Sequence, residues 1–158
     1  LDGQQIGPPI LGHDRWVLSV GFSPDGIKLV SASADWTIRL WDLSAGRPIS
    51  EALWGHQWAV SSVAFSPDGT LLASGGFLDG VRLWDVSNRG SAGQLNTSEH
   101  SNGVHSIAFS PDGAILAAAA DDGVRLWDMK SRARIGNPLF RSPDFSIGTL
   151  TYTSSSSF

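Results

Sequence analysis

Three stretches of the chain alternate apolar with small or polar residues over six positions: Val17–Phe22, Val60–Phe65 and Val104–Phe109. A period of two marks a strand with one covered face. Each stretch ends in Phe and runs into Ser-Pro-Asp-Gly, at 23–26, 66–69 and 110–113. Pro presets φ, Asp hydrogen-bonds its own turn and Gly closes it, so each tetrapeptide predicts a tight turn. A second apolar run follows each turn, at 28–33, 71–75 and 115–119. A short Asp-containing turn then leads into a third strand ending in Arg-Leu-Trp-Asp, at 39–42, 82–85 and 125–128. Looser segments at 48–53, 94–96 and 135–139 read as a fourth strand. No stretch keeps a helical period. The pattern predicts an all-β chain.

The units are copies of one another. His13, His56 and His100 lie 43 and 44 residues apart, and Trp41, Trp84 and Trp127 lie 43 and 43 apart. Gly-His at 12–13 and 55–56, Ser-Pro-Asp-Gly and Arg-Leu-Trp-Asp at this period resemble the WD40 repeat, a four-stranded β-propeller blade. The resemblance covers residues 4–140. It implies a partial propeller, about three four-stranded antiparallel blades in an open arc. In that frame residues 1–10 are the outer strand of a preceding blade. Residues 11–53, 54–97 and 98–140 are blades one to three, and 141–158 a degenerate fourth start with a Ser-rich tail. Three blades fall short of the ~4 that close a ring. The arc is therefore expected to be part of a longer protein, as Leu rather than Met at position 1 suggests, or to be completed by further copies.

The same resemblance assigns roles to the repeated polar residues. In the first unit His13, Ser31 (or Ser33), Asp35 and Trp41 would form a buried hydrogen-bonded tetrad, with Asp and Ser orienting His and Ser meeting the indole N–H. The second unit offers His56, Ser74, Asp79 and Trp84, although Asp79 lies five residues before its Trp where Asp35 lies six. The third offers His100, Asp121 (or Asp122) and Trp127, with Ala118 at the hydroxyl position and Glu99 in place of Gly. Ser, His and Asp are also the ingredients of a catalytic triad. A nucleophile needs an exposed hydroxyl and an oxyanion hole, and neither is marked in the sequence. No catalytic residue is assigned. His100, His105 and the Asp121–Asp122 pair could be drawn as a metal site, but strand and loop roles account for them, and no metal or other cofactor is expected.

In the propeller frame the loops after each His and the turns holding each Asp share one rim. That rim carries Arg15, Trp16, Trp36, Trp58, Phe77, Leu78 and Asn102. Trp16, Trp36 and Trp58 have no tetrad role, and Trp with Arg is enriched at interface hot spots. These rings could equally cap the junctions between blades. The expected function is a non-catalytic protein-interaction scaffold, a WD40 segment of a larger multidomain protein that binds a protein or peptide. The alternatives are an assembly unit that completes a ring with further copies or repeats, and a propeller-fold hydrolase.

Composition narrows the partners. The 158 residues carry 11 basic and 15 acidic side chains, a net charge of −4, without a basic run, so no nucleic-acid partner is expected. No apolar stretch approaches the ~20 residues of a membrane span, and no membrane partner is expected. Cys is absent, which removes disulfides and thiolate chemistry. The lack of a targeting signal gives a cytoplasmic expectation. Uncovered blade ends leave self-association as a further expectation.

Overall fold

The computed structural model describes residues 4, 7–49, 51–87, 90–94 and 103–139. Among them the chain is all-β. Twelve strands run β1 (Val17–Phe22), β2 (Lys28–Ser33), β3 (Ile38–Asp42), β4 (Arg47–Pro48), β5 (Val60–Phe65), β6 (Leu71–Gly76), β7 (Gly80–Asp85), β8 (Gly90–Gln94), β9 (Val104–Phe109), β10 (Ile115–Ala120), β11 (Gly123–Asp128) and β12 (Arg134–Leu139). They form three four-stranded antiparallel sheets, each a meander in chain order. Local chemistry alone favours this hairpin ladder, because every connection within a sheet is a short turn.

The Ser-Pro-Asp-Gly turn closes the first hairpin of each sheet in the same way. Gly69 and Gly113 both stand at φ 71°, where a side chain is penalised. Asp68 Oδ1 accepts the Ser66 hydroxyl at 2.6 Å and the Thr70 amide at 3.0 Å, and Asp112 does the same with Ser110 and Ala114. Those bonds, the serine hydroxyl first, hold Asp25, Asp68 and Asp112 below the usual carboxylate range.

The sheets are stacked by their faces, with β1 against β5 and β5 against β9. One apolar cluster joins the first two: Val30, Ala32, Ile38 and Leu40 meet Val60, Val63, Leu72 and Trp84. The other joins the second and third: Ala73, Val81 and Leu83 meet Val104, Ile107, Phe109, Leu116 and Trp127. Each junction also carries a serine. Ser19 accepts the Val63 amide at 3.3 Å, and Ser62 accepts the Ile107 amide at 3.0 Å. At the turns, a Cβ built on Gly69 would lie 3.5 Å from the Pro24 ring, and one on Gly113 would lie 3.4 Å from the Pro67 ring. Each proline thus rests on the next sheet's glycine.

The first strands of the three sheets differ in cover. Val17, Val20 and Phe22 are 50, 59 and 67% exposed, whereas their counterparts Val104, Ile107 and Phe109 are 0, 5 and 9% exposed. The residue types match and the neighbour does not: no sheet lies outside β1 among the described residues. The arc is open.

The second and third sheets approach closely at Gly75. A Cβ there would sit 2.3 Å from Val104 Cγ1 and 2.9 Å from Ile107 Cδ1. Alanine stands at the matching positions 32 and 119, yet Gly75→Ala is expected to lower stability by about 1–3 kcal/mol through overpacking. Urea melts check this. A neutral result would mean that β9 yields without cost.

Two expectations about strand limits change. The fourth strand of sheet 1 is Arg47–Pro48, with a lone bridge from Ile38 to Leu53 instead of a continuous strand over 48–53. That of sheet 2 is Gly90–Gln94, ahead of the expected 94–96. Pro48 has no N–H to continue a ladder, and outer strands answer to one neighbour only. Of the outer strand expected within residues 1–10, residues 4 and 7–10 are described and carry none. The expected tail over 141–158 lies outside the described residues.

Candidate functional site

At the end of each sheet opposite the Ser-Pro-Asp-Gly turn, the loop entering the first strand meets the turn between the second and third. In sheet 1 the Ala34 amide donates to Trp16 O at 2.9 Å, and in sheet 2 the Phe77 amide donates to Ala59 O at 3.0 Å. Beneath these bonds lie the polar networks. His13 Nδ1 donates to Asp35 Oδ2 at 2.8 Å, Ser31 donates to His13 Nε2 at 2.7 Å, and the Trp41 indole N–H donates to Ser31 Oγ at 2.8 Å. His56 stands 2.7 Å from Asp79 and 2.7 Å from Ser74, and Trp84 donates to Ser74 at 2.8 Å. The directions follow from chemistry, since a carboxylate only accepts and an indole only donates. Each ring is thereby fixed in the tautomer with its proton on Nδ1.

The carboxylates also fasten the loop above. Asp35 Oδ2 accepts the Asp14 amide at 3.0 Å, and Asp79 Oδ2 accepts the Gln57 amide at 2.8 Å. Burial tends to raise the Asp35 pKa, but bonds from the Thr37 hydroxyl, His13 and two amides outweigh it and bring the value to about 2. Burial is the main influence on His56 and lowers its pKa, against the pull of Asp79. Ser31 and Ser74 are buried, and each hydroxyl already gives its proton to a histidine and accepts an indole N–H. An attacking serine would need an open approach for its substrate, which these buried hydroxyls lack.

Asp35 and Asp79 reach equivalent histidines from different positions. Register pairs Ser31 with Arg39 and Ser74 with Arg82, so Asp79 corresponds to Trp36, and Leu78 to Asp35. The turns absorb the offset: Trp36 takes φ 73° in the first, while Leu78 and Gly80 take 59° and 71° in the second. In the third sheet the turn is only Asp121-Asp122 between Ala120 and Gly123. There Asp122, five residues before Trp127, forms a paired bond to Arg125 with both distances 2.7 Å. Asp121, one of the two acids expected for the third tetrad, is bonded to His105 on β9. His100 lies outside the described residues, and Ala118 is buried where the other sheets place serine.

The expected rim residues come from these same loops. Trp16, Trp36, Trp58, Phe77 and Leu78 are all exposed, Trp16 by 83%. Trp36 of sheet 1 and Trp58 of sheet 2 lie with ring centroids 6.4 Å apart. Phe77 of sheet 2 meets His105 of sheet 3 edge-on at 6.3 Å. The rings therefore span junctions and still face outward. Arg15 and Trp16, with His13, Asp14 and Ala34, line a hollow of about 530 Å³. Asn102 lies outside the described residues. No group of three metal-ligating side chains occurs among the described residues.

A family model described as WD domain, G-beta repeat matches residues 7–42, 46–85 and 93–128. The chain belongs to the WD40 family. Its three sheets are three blades of a partial propeller, with no closed ring among them. Relatives match over about one repeat each. A Notchless protein homolog of Arabidopsis thaliana is 55% identical over 40 residues, 25% of this chain and 8% of the relative. Lissencephaly-1 homolog 1 of Paramecium tetraurelia is 56% identical over 32 residues, 20% of this chain and 8% of the relative. The COMPASS component SWD1 of Saccharomyces cerevisiae is 48% identical over 40 residues, 25% of this chain and 9% of the relative. Each match thus takes in less than a tenth of the relative's length.

Within this WD40 chain, sequence reasoning missed three ties: His105 to Asp121, Arg125 to Asp122, and Arg82 to Asp79 at 3.3 Å. The last two had a signal, an Asp three residues before the Arg of Arg-Leu-Trp-Asp in units two and three. The Gly before His has a reason as well. A Cβ at Gly12 would lie 2.7 Å from the Trp41 ring, and one at Gly55 3.0 Å from the Trp84 ring.

Proposed function

We propose that this WD40 segment is a non-catalytic scaffold that holds a protein or peptide on the rim formed by Arg15, Trp16, Trp36, Trp58, Phe77 and Leu78. The carrying observation is that five large apolar side chains are exposed along one rim, on loops tied down by buried polar networks. Exposed aromatic rings on a rigid frame bind with little loss of side-chain freedom. Trp36 and Leu78 support the reading further. Both hold positive φ without being glycine, a cost of about 1–3 kcal/mol each that is found where a turn presents a side chain. The networks beneath are read as structural, since their serines and histidines are spent on one another. Asn102 is proposed for the same rim from its place in the third loop.

A peptide library selected against the immobilised chain tests the rim. Selected peptides are expected to bind at least ~10-fold more weakly to Trp16→Ala and Trp58→Ala. Val20→Asp, on the outer face of blade 1, should leave their affinity unchanged. Peptides that bind all three variants alike would overturn the assignment.

A further inference from the structure

We infer that Arg39 anchors a carboxylate of the bound partner, so that the rim takes an acidic peptide; this rests on the rim reading above and names its ligand. The Arg of Arg-Leu-Trp-Asp holds one register position in all three blades, opposite Ser31, Ser74 and Ala118. In blade 3 Arg125 meets both oxygens of Asp122, each at 2.7 Å, and in blade 2 Arg82 meets Asp79 at 3.3 Å. Both acids lie three residues before their Arg. In blade 1 that place holds Trp36, and the acid stands one residue earlier, at Asp35.

Asp35 does not stand in. Its two oxygens take the His13 ring, the Thr37 hydroxyl and the amides of Asp14 and Thr37. Arg39 is half-buried and has no hydrogen bond, ion pair or ring contact among the described residues. Its Nε is buried without a partner, as is that of Arg82, so the two differ at the terminal nitrogens. A guanidinium partly withdrawn from water with no counterion favours an incoming carboxylate. A blade in front does not change this. Blade 1 packs before blade 2, yet Arg82 still takes its carboxylate from its own turn. With that blade in place the Arg82 side chain is 21% exposed, so the position opens to solvent.

Blade 3 shows which group fits. Asp122 sets a flat carboxylate edge to edge on its guanidinium, two bonds at once. Trp36, exposed beside Trp58, offers an apolar seat to the next residue of the peptide. Of the loop charges nearby, Arg15 adds to the attraction and Asp14 opposes it. The ligand is a peptide with Asp or Glu beside an aromatic or aliphatic residue.

Two measurements test this, and the first needs no ligand. Trp36→Asp returns an acid to the place three before Arg39, at a φ of 73° that Asp and Asn both tolerate better than Trp. Its urea midpoint should exceed that of Trp36→Asn, and the difference should vanish once Arg39 is replaced by Gln. Equal midpoints for the Asp and Asn variants would overturn the inference. The second uses peptides selected against the immobilised chain. They should share an Asp or Glu, and changing it to Asn or Gln should weaken binding at least ~10-fold. The same change should make no difference to binding by Arg39→Gln. Peptides without a shared acid would overturn the inference, and so would peptides that bind better with phosphoserine in its place. Binding lost in Trp58→Ala and kept in Arg39→Gln refutes the anchor and leaves the rim standing. Binding lost in Arg39→Gln and kept in Trp16→Ala and Trp58→Ala refutes the rim instead. A selection that yields no binder overturns both.

Discussion

Replacing Trp84 by alanine should cost the protein about 3–5 kcal/mol, as large-to-small changes at buried aromatic positions do. Trp84 is 4% exposed and packs in the cluster that joins blades 1 and 2. The change opens a cavity in that junction and leaves Ser74 Oγ without its indole donor. Trp84→Phe separates the two losses. It keeps a smaller ring in the junction and deletes the N–H, at an expected cost of about 1–2 kcal/mol beyond the volume change. Urea midpoints at constant slope give both numbers. Equal losses in the two variants would mean that packing contributes little here.

His56→Ala should come next, at about 2–3 kcal/mol. It takes the proton acceptor from Ser74 and one donor from Asp79, in a network whose members are nearly all buried. The histidine also gives stability a direction with pH. Burial lowers its pKa in the folded chain from the ordinary 6.5. The unfolded chain therefore takes up a proton first as pH falls. Stability is full above about 6.5 and declines below it, until the folded ring is protonated too. Asp35 acts later: its pKa falls from 3.8 to about 2, so its contribution is kept above about 4 and lost toward 2. Urea midpoints measured from pH 8 to pH 5 should fall in the natural chain and fall less in His56→Ala. A flat profile in the natural chain would contradict the burial argument.

The inner strands were legible because their signal is redundant. Val17–Phe22, Val60–Phe65 and Val104–Phe109 each alternate and end at the same turn, and β1, β5 and β9 have those limits. The outer strands lack that redundancy. Gly90-Ser-Ala-Gly-Gln94 has no apolar face to read in its sequence. From the family resemblance the histidines and serines of units one and two could be placed, and strand register holds Ser31 opposite Arg39 and Ser74 opposite Arg82. Asp35 and Asp79 were named with them, although the two acids differ by one place in their distance from the Trp. A turn residue is placed by its φ and ψ, and Leu78 at φ 59° puts Asp79 where spacing alone argues against it. Asp121 shows the same limit. In a two-residue turn adjacent carboxylates point to opposite sides, and a sequence count does not choose between them. The rim rings were visible as surplus tryptophans, but their pairing across junctions, Trp36 with Trp58 and Phe77 with His105, needs the blades in place.

The freedom of these turns has a consequence for how such repeats diversify. Asp35 and Asp79 fasten the same loop to the same kind of histidine from neighbouring positions, and the residue each displaces, Trp36 or Leu78, is turned outward. A duplicated copy can therefore move its acid by one place without refitting the blade, and each move changes which side chain is offered to the outside. Mutation can thus rewrite the display of one copy while the copies on either side keep theirs.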